Sequence, residues 1–479
     1  MQMRPRFYSL QDTSKACDMA TRQDMVRYSR ELFAGMGNLG GAIVEKNQWA
    51  FGDGWSPQYQ GTNQAWGEQV ENWLKSKFFP VCNVRGPNYD FRTSLFLLGC
   101  ALDVDGDALL VLTASRDGFP LIQLVPAHRI GQRSMAEKEV KAGRYRGNAI
   151  CDGVITNGLG RPIAYRILGD TPDEDQDLSA QSAMLLTEPT WADQIRGIPR
   201  IARTVLDLMD LQDLDVMLKR MVKNQSIISL IAKTRSGEAD ITTSQLLTAN
   251  EDAIIATQVT NPQSGVGAEL VFGGEMRYLH TDEDITPFTP DSPSPNTENF
   301  ISRIERRCLY SVGWPVEMMD ATKIGGASVR LIQDLARKSI RTRQNTVERA
   351  VRFFINYAVA TAMANELIPA NYNDNWYAWT FTRPASVCVD NGNESSADRD
   401  NYKLGTATLA EIAAKKGQDW LELRNQSQKE TEDLLDRAKA VSTKYNISLD
   451  KALALLSQRT PNEAPASNLD SAKADKTNP

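Results

Sequence analysis

The sequence predicts an α+β protein, and three features carry that expectation. A rod of helix follows Gly197-Ile198-Pro199 and runs past residue 223 without Gly or Pro. Two pairs of apolar runs, split by turn residues, lie between residues 103 and 168. A Lys/Glu-rich stretch over 406–459 has helical character. The 479 residues allow two to four domains.

The first domain is read element by element. Residues 1–24 are polar and irregular, with no apolar signal-peptide core. Met25, Tyr28, Leu32, Phe33, Met36 and Leu39 predict a helix over 25–46. Residues 48–60 read as a loop or short strand, and 63–78 and 90–101 as helices. Asp103-Val-Asp-Gly-Asp107 resembles a calcium loop only superficially: Gly106 is misplaced and no Glu closes it, so a turn is expected. Ala108–Ala114 and Leu121–Val125 form a hairpin around Arg116-Asp-Gly, and Ala149–Thr156 and Pro162–Leu168 a second around Asn157-Gly-Leu-Gly. Asp170–Gln181 is an acidic surface loop.

The rod opens at Pro199, where a missing N–H costs nothing on a first turn. Ile201, Val205, Leu208, Leu211, Leu214, Met217 and Leu218 supply an apolar stripe, expected to pack against sister copies. Asp207, Asp210 and Asp213, three apart, stack on another side. An insertion over 224–292 carries a strand at Ile227–Ala232, a helix at Ser244–Thr257 and strands near Ala268–Phe272. Asn296 or Thr297 caps a helix to Val312, and Gly313-Trp-Pro315 breaks it. After a small-residue loop at Met318–Ala327, a helix from Ser328 to about Leu367 carries Arg330, Arg337, Lys338, Arg341, Arg343, Arg349 and Arg352. Tyr377–Thr382 reads as a strand, and the chain from Pro461 as a disordered tail.

Composition narrows the function. The formal charge is −6, so the global basic excess of a sequence-reading DNA binder is absent and any DNA contact is local or weak. Six cysteines without a CxxC and two histidines argue against zinc, and fit free thiols in a reducing compartment. His128 and His280 leave little material for acid–base chemistry, and no stretch matches GxxxxGK[ST]. No apolar run has the length of a membrane span. Neither a cofactor, nor a metal, nor catalysis is expected.

The order of landmarks over roughly 25–460 resembles the lambda-like family of tailed-phage portal proteins. They are Arg27-Tyr-Ser-Arg-Glu-Leu32 before the Gly-rich 35–41 and Phe51-Gly-Asp-Gly, Gly160-Arg-Pro-Ile-Ala-Tyr165, and above all Gln194-Ile-Arg-Gly-Ile-Pro199. Pro293-Ser-Pro-Asn-Thr-Glu-Asn-Phe300, Val312-Gly-Trp-Pro-Val-Glu317, Ser328-Val-Arg-Leu-Ile-Gln-Asp334 and Gly405-Thr-Ala-Thr-Leu-Ala-Glu411 through Trp420 follow in order. One departure is Ile324-Gly-Gly-Ala-Ser328, where the family has a polar Asn-Tyr-Ser-Ser-type segment.

The resemblance implies a portal fold assembled as a twelvefold ring at one capsid vertex. Its parts are wing (1–195), first stem helix (196–225), clip (226–293), second stem helix (294–315), tunnel loop (316–329), kinked tunnel helix with return to the wing (330–404), crown (405–460) and tail (461–479). It implies a virion protein, assembled in the host cytoplasm, that passes double-stranded DNA without reading its sequence. Its partners are the terminase large subunit, the major capsid or scaffold protein and the head–tail adaptor. Two other readings stand beside it: a nucleic-acid-processing enzyme of the packaging system, and a monomeric accessory protein of head assembly.

Site residues follow from this placement. Duplex DNA carries one charge per ~1.7 Å, so a sliding channel needs an acidic or neutral lining. Asp207, Asp210, Asp213 and Asp215 fit such a lining, and also fit a plain solvated helix face. Lys323, beside Gly325 and Gly326, is a mobile cation that touches phosphates in passing, and Arg330 follows it. Arg337 and Arg341 are expected to pair with acidic faces of neighbouring subunits or of the same fold, and as candidates for a subunit interface they stand with Leu208 and Met217.

Overall fold

The computed structural model describes residues 12–52, 55–234, 259–260, 267–271, 274–280, 295–319, 326–385 and 391–456. The chain divides into two compact units, Met1–Thr380 and Phe381–Pro479.

The first unit opens with a single turn, α1 (Thr13–Ala16), then α2 (Met19–Gly35) and α3 (Gly37–Phe51). Helix therefore begins before residue 25, where irregular chain was expected. Asp18 caps α2 by accepting the Thr21 amide. Arg22 and Ser29 lie on its buried face with Met25 and Leu32, so the apolar period is broken there. The one helix expected over 25–46 is two, divided at Met36 (φ −108°, ψ 105°) among glycines that weaken a continuous rod. After β1 (Ser56–Tyr59) come α4 (Gln64–Trp73), a π turn, α5 (Phe79–Val81) and α6 (Phe91–Val104), the last capped by Asp90.

Seven strands follow: β2 (Asp107–Ala114), β3 (Pro120–Pro126), β4 (Ala149–Cys151), β5 (Val154–Thr156), β6 (Pro162–Ile167), β7 (Gln176–Ser179) and β8 (Ala183–Thr187). They make two antiparallel sheets, β3-β2-β8 and β4-β5-β6-β7. The first expected hairpin is present as β2–β3, and the Asn157-Gly-Leu-Gly turn joins β5 to β6. The strand expected over Ala149–Thr156 is two, β4 and β5, because Asp152 (φ 46°) and Gly153 (φ 80°) turn the chain back on itself. Strand β7 occupies sequence read as loop, because Gln176-Asp-Leu-Ser179 is polar and too short to show a period of two. The turn expected at Asp103–Asp107 is instead the end of α6, a tight bend at Gly106 (φ 88°) and the start of β2.

A 3-10 turn over Arg200–Arg203 precedes α7 (Val205–Ile227). Pro199 thus heads the turn and not the α-helix, because Thr204 (φ −124°, ψ 11°) leaves helical geometry between them. Strands β9 (Ile228–Thr234), β10 (Val259–Thr260), β11 (Gly267–Val271) and β12 (Gly274–His280) form a sheet in the order β10-β11-β12-β9, with β12 parallel to β9. The helix expected over Ser244–Thr257 lies outside the described residues. Helix α8 (Pro295–Val312) packs on α7 and ends at Gly313 (φ 80°). Helix α9 (Gly326–Ala364) is 39 residues long. Val347, Val351, Phe354, Ile355, Ala358 and Val359 on it are all fully buried, and their spacing at i, i+4, i+7, i+8, i+11 and i+12 places them on one broad apolar face. Strand β13 (Trp379–Thr382) pairs with β1.

One core joins Leu32, Leu39, Ile43, Val104, Ile201, Val205, Leu208, Cys308 and Val312, so α2, α3, α6, α7 and α8 meet in it. The second unit holds α10 (Asn391–Lys403), α11 (Leu409–Lys415), α12 (Trp420–Tyr445) and α13 (Leu449–Leu456). A Thr408/Glu411 capping box starts α11. Lys415 Nζ, at the end of α11, reaches Asp398 of α10 at 2.6 Å. The tail from Pro461 lies outside the described residues.

Candidate functional site

The acidic face of α7 is divided. Asp207 pairs with Arg307 of α8 at 2.6 Å, so its charge is met inside the chain. The paired helix supplies a guanidinium that helical spacing on α7 does not reveal. Asp210, Asp213 and Asp215 are exposed and make no ion pair among the described residues.

The apolar stripe is divided too. Leu208 is 2% exposed and packed in the core of its own chain, so it does not reach a neighbouring subunit. The same holds for Ile201, Val205 and Leu211, which α2, α3 and α8 leave no room to project outward. Further along, Val216, Met217 and Val222 are exposed, Met217 at 63%. Among the described residues of the stripe, the exposed ones lie in this second half.

On α9, Arg330 and Arg341 are exposed and form no ion pair among the described residues. Arg337 faces Asp334 one turn away at 3.6 Å, a surface pair worth at most about 1 kcal/mol. Gly326 is the first residue of α9. Lys323 and Gly325 lie outside the described residues.

Beneath the base of α7 is a feature that sequence reading missed. Asp103, at the end of α6, is fully buried and accepts from Lys46 Nζ at 2.8 Å, from Asn47 Nδ2 at 3.0 Å and from Arg343 of α9. Arg200, just before α7, stands 3.7 Å from the same carboxylate and pairs with Glu188 at 2.7 Å. Lys46 Nζ and Arg200 Nη1 also donate to the carbonyl of Val312, the last residue of α8, at 2.8 and 3.3 Å. The start of one rod, the end of the other and the long basic helix are thus gripped by one carboxylate cluster. Three cations face two carboxylates, and the surplus positive charge shows in the proton affinities. Burial drives the Lys46 ammonium down to about 7; Asp103 opposes that fall, and Arg343 and Arg200 add to it. Burial alone would raise the Asp103 carboxyl, but the Arg343, Lys46 and Arg200 charges outweigh it and hold it below its usual range.

The neighbouring aspartates repeat the pattern. Asp105 takes a bidentate Arg30 at 2.6 and 2.7 Å. Asp107 takes Arg196 at 2.7 and 3.0 Å and the Gly197 amide at 2.8 Å. Arg196 spends its remaining donors on the carbonyls of Ala127, Ile130 and Asp152. This explains the Ile-Arg-Gly-Ile-Pro landmark physically: the arginine clamps both sheets, and the glycine lets the chain pass against Gly106, where a Cβ would collide with the Gly106 carbonyl. The signal was present in the sequence as two separate motifs, Asp103–Asp107 and Arg196-Gly197, with nothing local to join them.

Among the described residues no group of three His, Cys, Asp or Glu side chains could hold a metal ion, and no helix is long and apolar enough to cross a membrane.

Residues 4–344 match the family described as phage portal protein, lambda family, and the chain belongs to that family. No curated protein matches it. Among solved structures, the chain is similar to a neck component of the empty gene transfer agent particle computed with C6 symmetry, at 12% identity and a TM-score of 0.47, over 87% of this chain and 95% of that one. The native particle's neck, computed with C12 symmetry, gives 13% identity and 0.44, over 83% and 93%. An HK97 family phage portal protein from Corynebacterium diphtheriae gives 12% identity and 0.28, over 74% and 94%.

Proposed function

We propose that this chain is the subunit of a ring, twelvefold in the simplest case, at one vertex of the phage head. Double-stranded DNA passes through it during packaging and ejection. Family membership supports the setting, and one observation carries the mechanism: Asp210, Asp213 and Asp215 stand exposed and unpaired among the described residues on a 23-residue helix. A cationic sleeve would hold DNA by releasing its counterions. An acidic wall repels it within a Debye length of ~8 Å, so the duplex slides without sticking. The ring repeats each acidic position once per subunit. Arg330, Lys323 and the glycines beside it supply brief phosphate contacts in this reading.

The role is structural. The terminase large subunit provides ATP hydrolysis and docks on the β9–β12 sheet inserted between α7 and α8; the head–tail adaptor takes that place later. Capsid or scaffold protein contacts the outer wing, and the finished ring resides in the virion after assembly in the host cytoplasm.

An image of the purified, assembled protein tests the proposal. Rings with α7 turned toward a central hole are expected. Rings with Asp210, Asp213 and Asp215 on the outside would end the lubrication mechanism, and a monomer at every concentration would end the ring.

A further inference from the structure

The acidic loop between β6 and β7 has no part in the channel, yet it is built with care. Arg133 donates to Asp175 at 2.8 and 3.1 Å and to the Gly169 carbonyl at 2.7 Å. The Gly169 amide donates back to Asp175 at 2.9 Å, and the Asp170 amide to Glu174 at 3.0 Å. A Cβ at Gly169 would strike Glu174. These bonds hold a rigid finger whose outer carboxylates, Asp170, Asp173 and Glu174, are exposed and take no cation in an ion pair among the described residues. A finger ordered beforehand binds without the cost of ordering it on contact.

The same chain offers a complementary hollow. A cleft of about 680 Å³ opens between the segment after β8, the end of α8 and α9. Trp191 lies in it, 39% exposed. Arg200 in the cleft is spent on Glu188. Arg203 and Arg349 are exposed and meet no carboxylate among the described residues; Arg349 reaches only backbone carbonyls of Thr187 and Thr346, at 3.4 and 3.5 Å. Finger and cleft share no residue.

A ring closes through heterologous contacts, in which a patch on one copy meets a different patch on the next. We propose that the acidic finger of one subunit inserts into the arginine cleft of the next copy of this chain, with Arg203 and Arg349 taking its carboxylates and Pro172 set against Trp191. This rests on the ring reading and assigns it a contact. Charge decides the pairing, since finger against finger or cleft against cleft would place like charges together.

Native mass measurements over a range of protein concentrations test it. The double reversals Arg203→Glu/Arg349→Glu and Asp170→Lys/Asp173→Lys should each raise the concentration needed for ring assembly at least about tenfold. The four changes combined in one chain should restore it, because every finger then meets a cleft of opposite sign. The milder Arg203→Gln/Arg349→Gln should fall between wild type and reversal, which guards against a misfolded variant. Rings forming at the wild-type concentration in both reversals would overturn the contact and leave the ring reading intact. Loss of duplex-DNA binding with unchanged assembly in Arg203→Glu/Arg349→Glu would overturn it in favour of a DNA role for the cleft. A wild-type chain that never forms rings would overturn the ring reading itself.

Discussion

Lys46 Nζ lies 2.8 Å from Asp103 Oδ1, and both side chains are wholly shut off from solvent. A pair this deep is held by what surrounds it: Arg343 and Arg200 bring further positive charge to the same carboxylate, and Lys46 also reaches the end of α8. The pair therefore joins α3 and α6 to the bases of both rods.

Asp103→Asn keeps the side chain's shape and removes the carboxylate that Lys46 and Arg343 share, leaving Arg343 with Glu188 at 3.6 Å. Uncompensated buried cations cost about 3–5 kcal/mol. Denaturant unfolding should show the free energy of unfolding lowered by that amount, through a lower midpoint with an unchanged slope. A loss within about 0.5 kcal/mol would mean that water enters the cluster and screens it.

Stability should also depend on pH through Lys46. Its folded value is about 7, against ~10.4 in the unfolded chain. Between those values the unfolded chain binds more protons, so the free energy of unfolding rises with pH. Unfolding midpoints should increase from pH 7 toward 10, and Lys46→Met should flatten that rise. Asp103 works in the opposite range: its carboxyl is held low, so its contribution stands at neutral pH and is lost as pH falls through the folded value. An equal rise in wild type and Lys46→Met would assign the effect to other groups.

Gly197 and Gly158 make a matched test of backbone approach. An added Cβ at Gly197 would meet the Gly106 carbonyl and, at 2.7 Å, Asp107 Cβ, while the Gly197 amide is tied to Asp107. At Gly158 it would meet nothing. Gly197→Ala should cost about 1–3 kcal/mol or more, and Gly158→Ala less than about 0.5 kcal/mol. Thermal unfolding of the two variants beside wild type measures the contrast.

These positions also show what local sequence can reveal. The hairpins were legible because Arg116-Asp-Gly and Asn157-Gly-Leu-Gly set turn residues between apolar runs. The length of α7 was legible from its spacing, and the exposure of Asp210 and Asp213 from their three-residue step. The carboxylate cluster was not legible. Asp103, Asp105 and Asp107 alternate with small or apolar residues, a pattern that reads as a solvated turn, and their partners Lys46, Arg30, Arg196 and Arg343 lie far along the chain. Charge pairing at such distance has no period to detect. The partner of Asp207 was hidden for the same reason, since Arg307 sits on the other rod beyond the inserted sheet. The start of α2 was obscured because Arg22, which binds Asp152, occupies a position where an apolar residue would have extended the pattern.

The division of the acidic face sets the form of the packaging experiment. Asp207→Lys would place a cation against Arg307 and loosen the two rods, so a packaging defect in that variant would report on the fold as much as on the channel. Asp210, Asp213 and Asp215 carry no such burden, being exposed and unpaired among the described residues. Their joint replacement by Lys should leave ring assembly and unfolding midpoint close to wild type. DNA packaging measured with the terminase motor should slow by at least about tenfold, as each subunit turns three repulsive charges into phosphate contacts that must be broken at every step. Raising the salt concentration should recover part of the rate in the variant, because counterion release is what holds the DNA there. Packaging at the wild-type rate in low salt would show that the wall of the channel is formed by some other face of the chain.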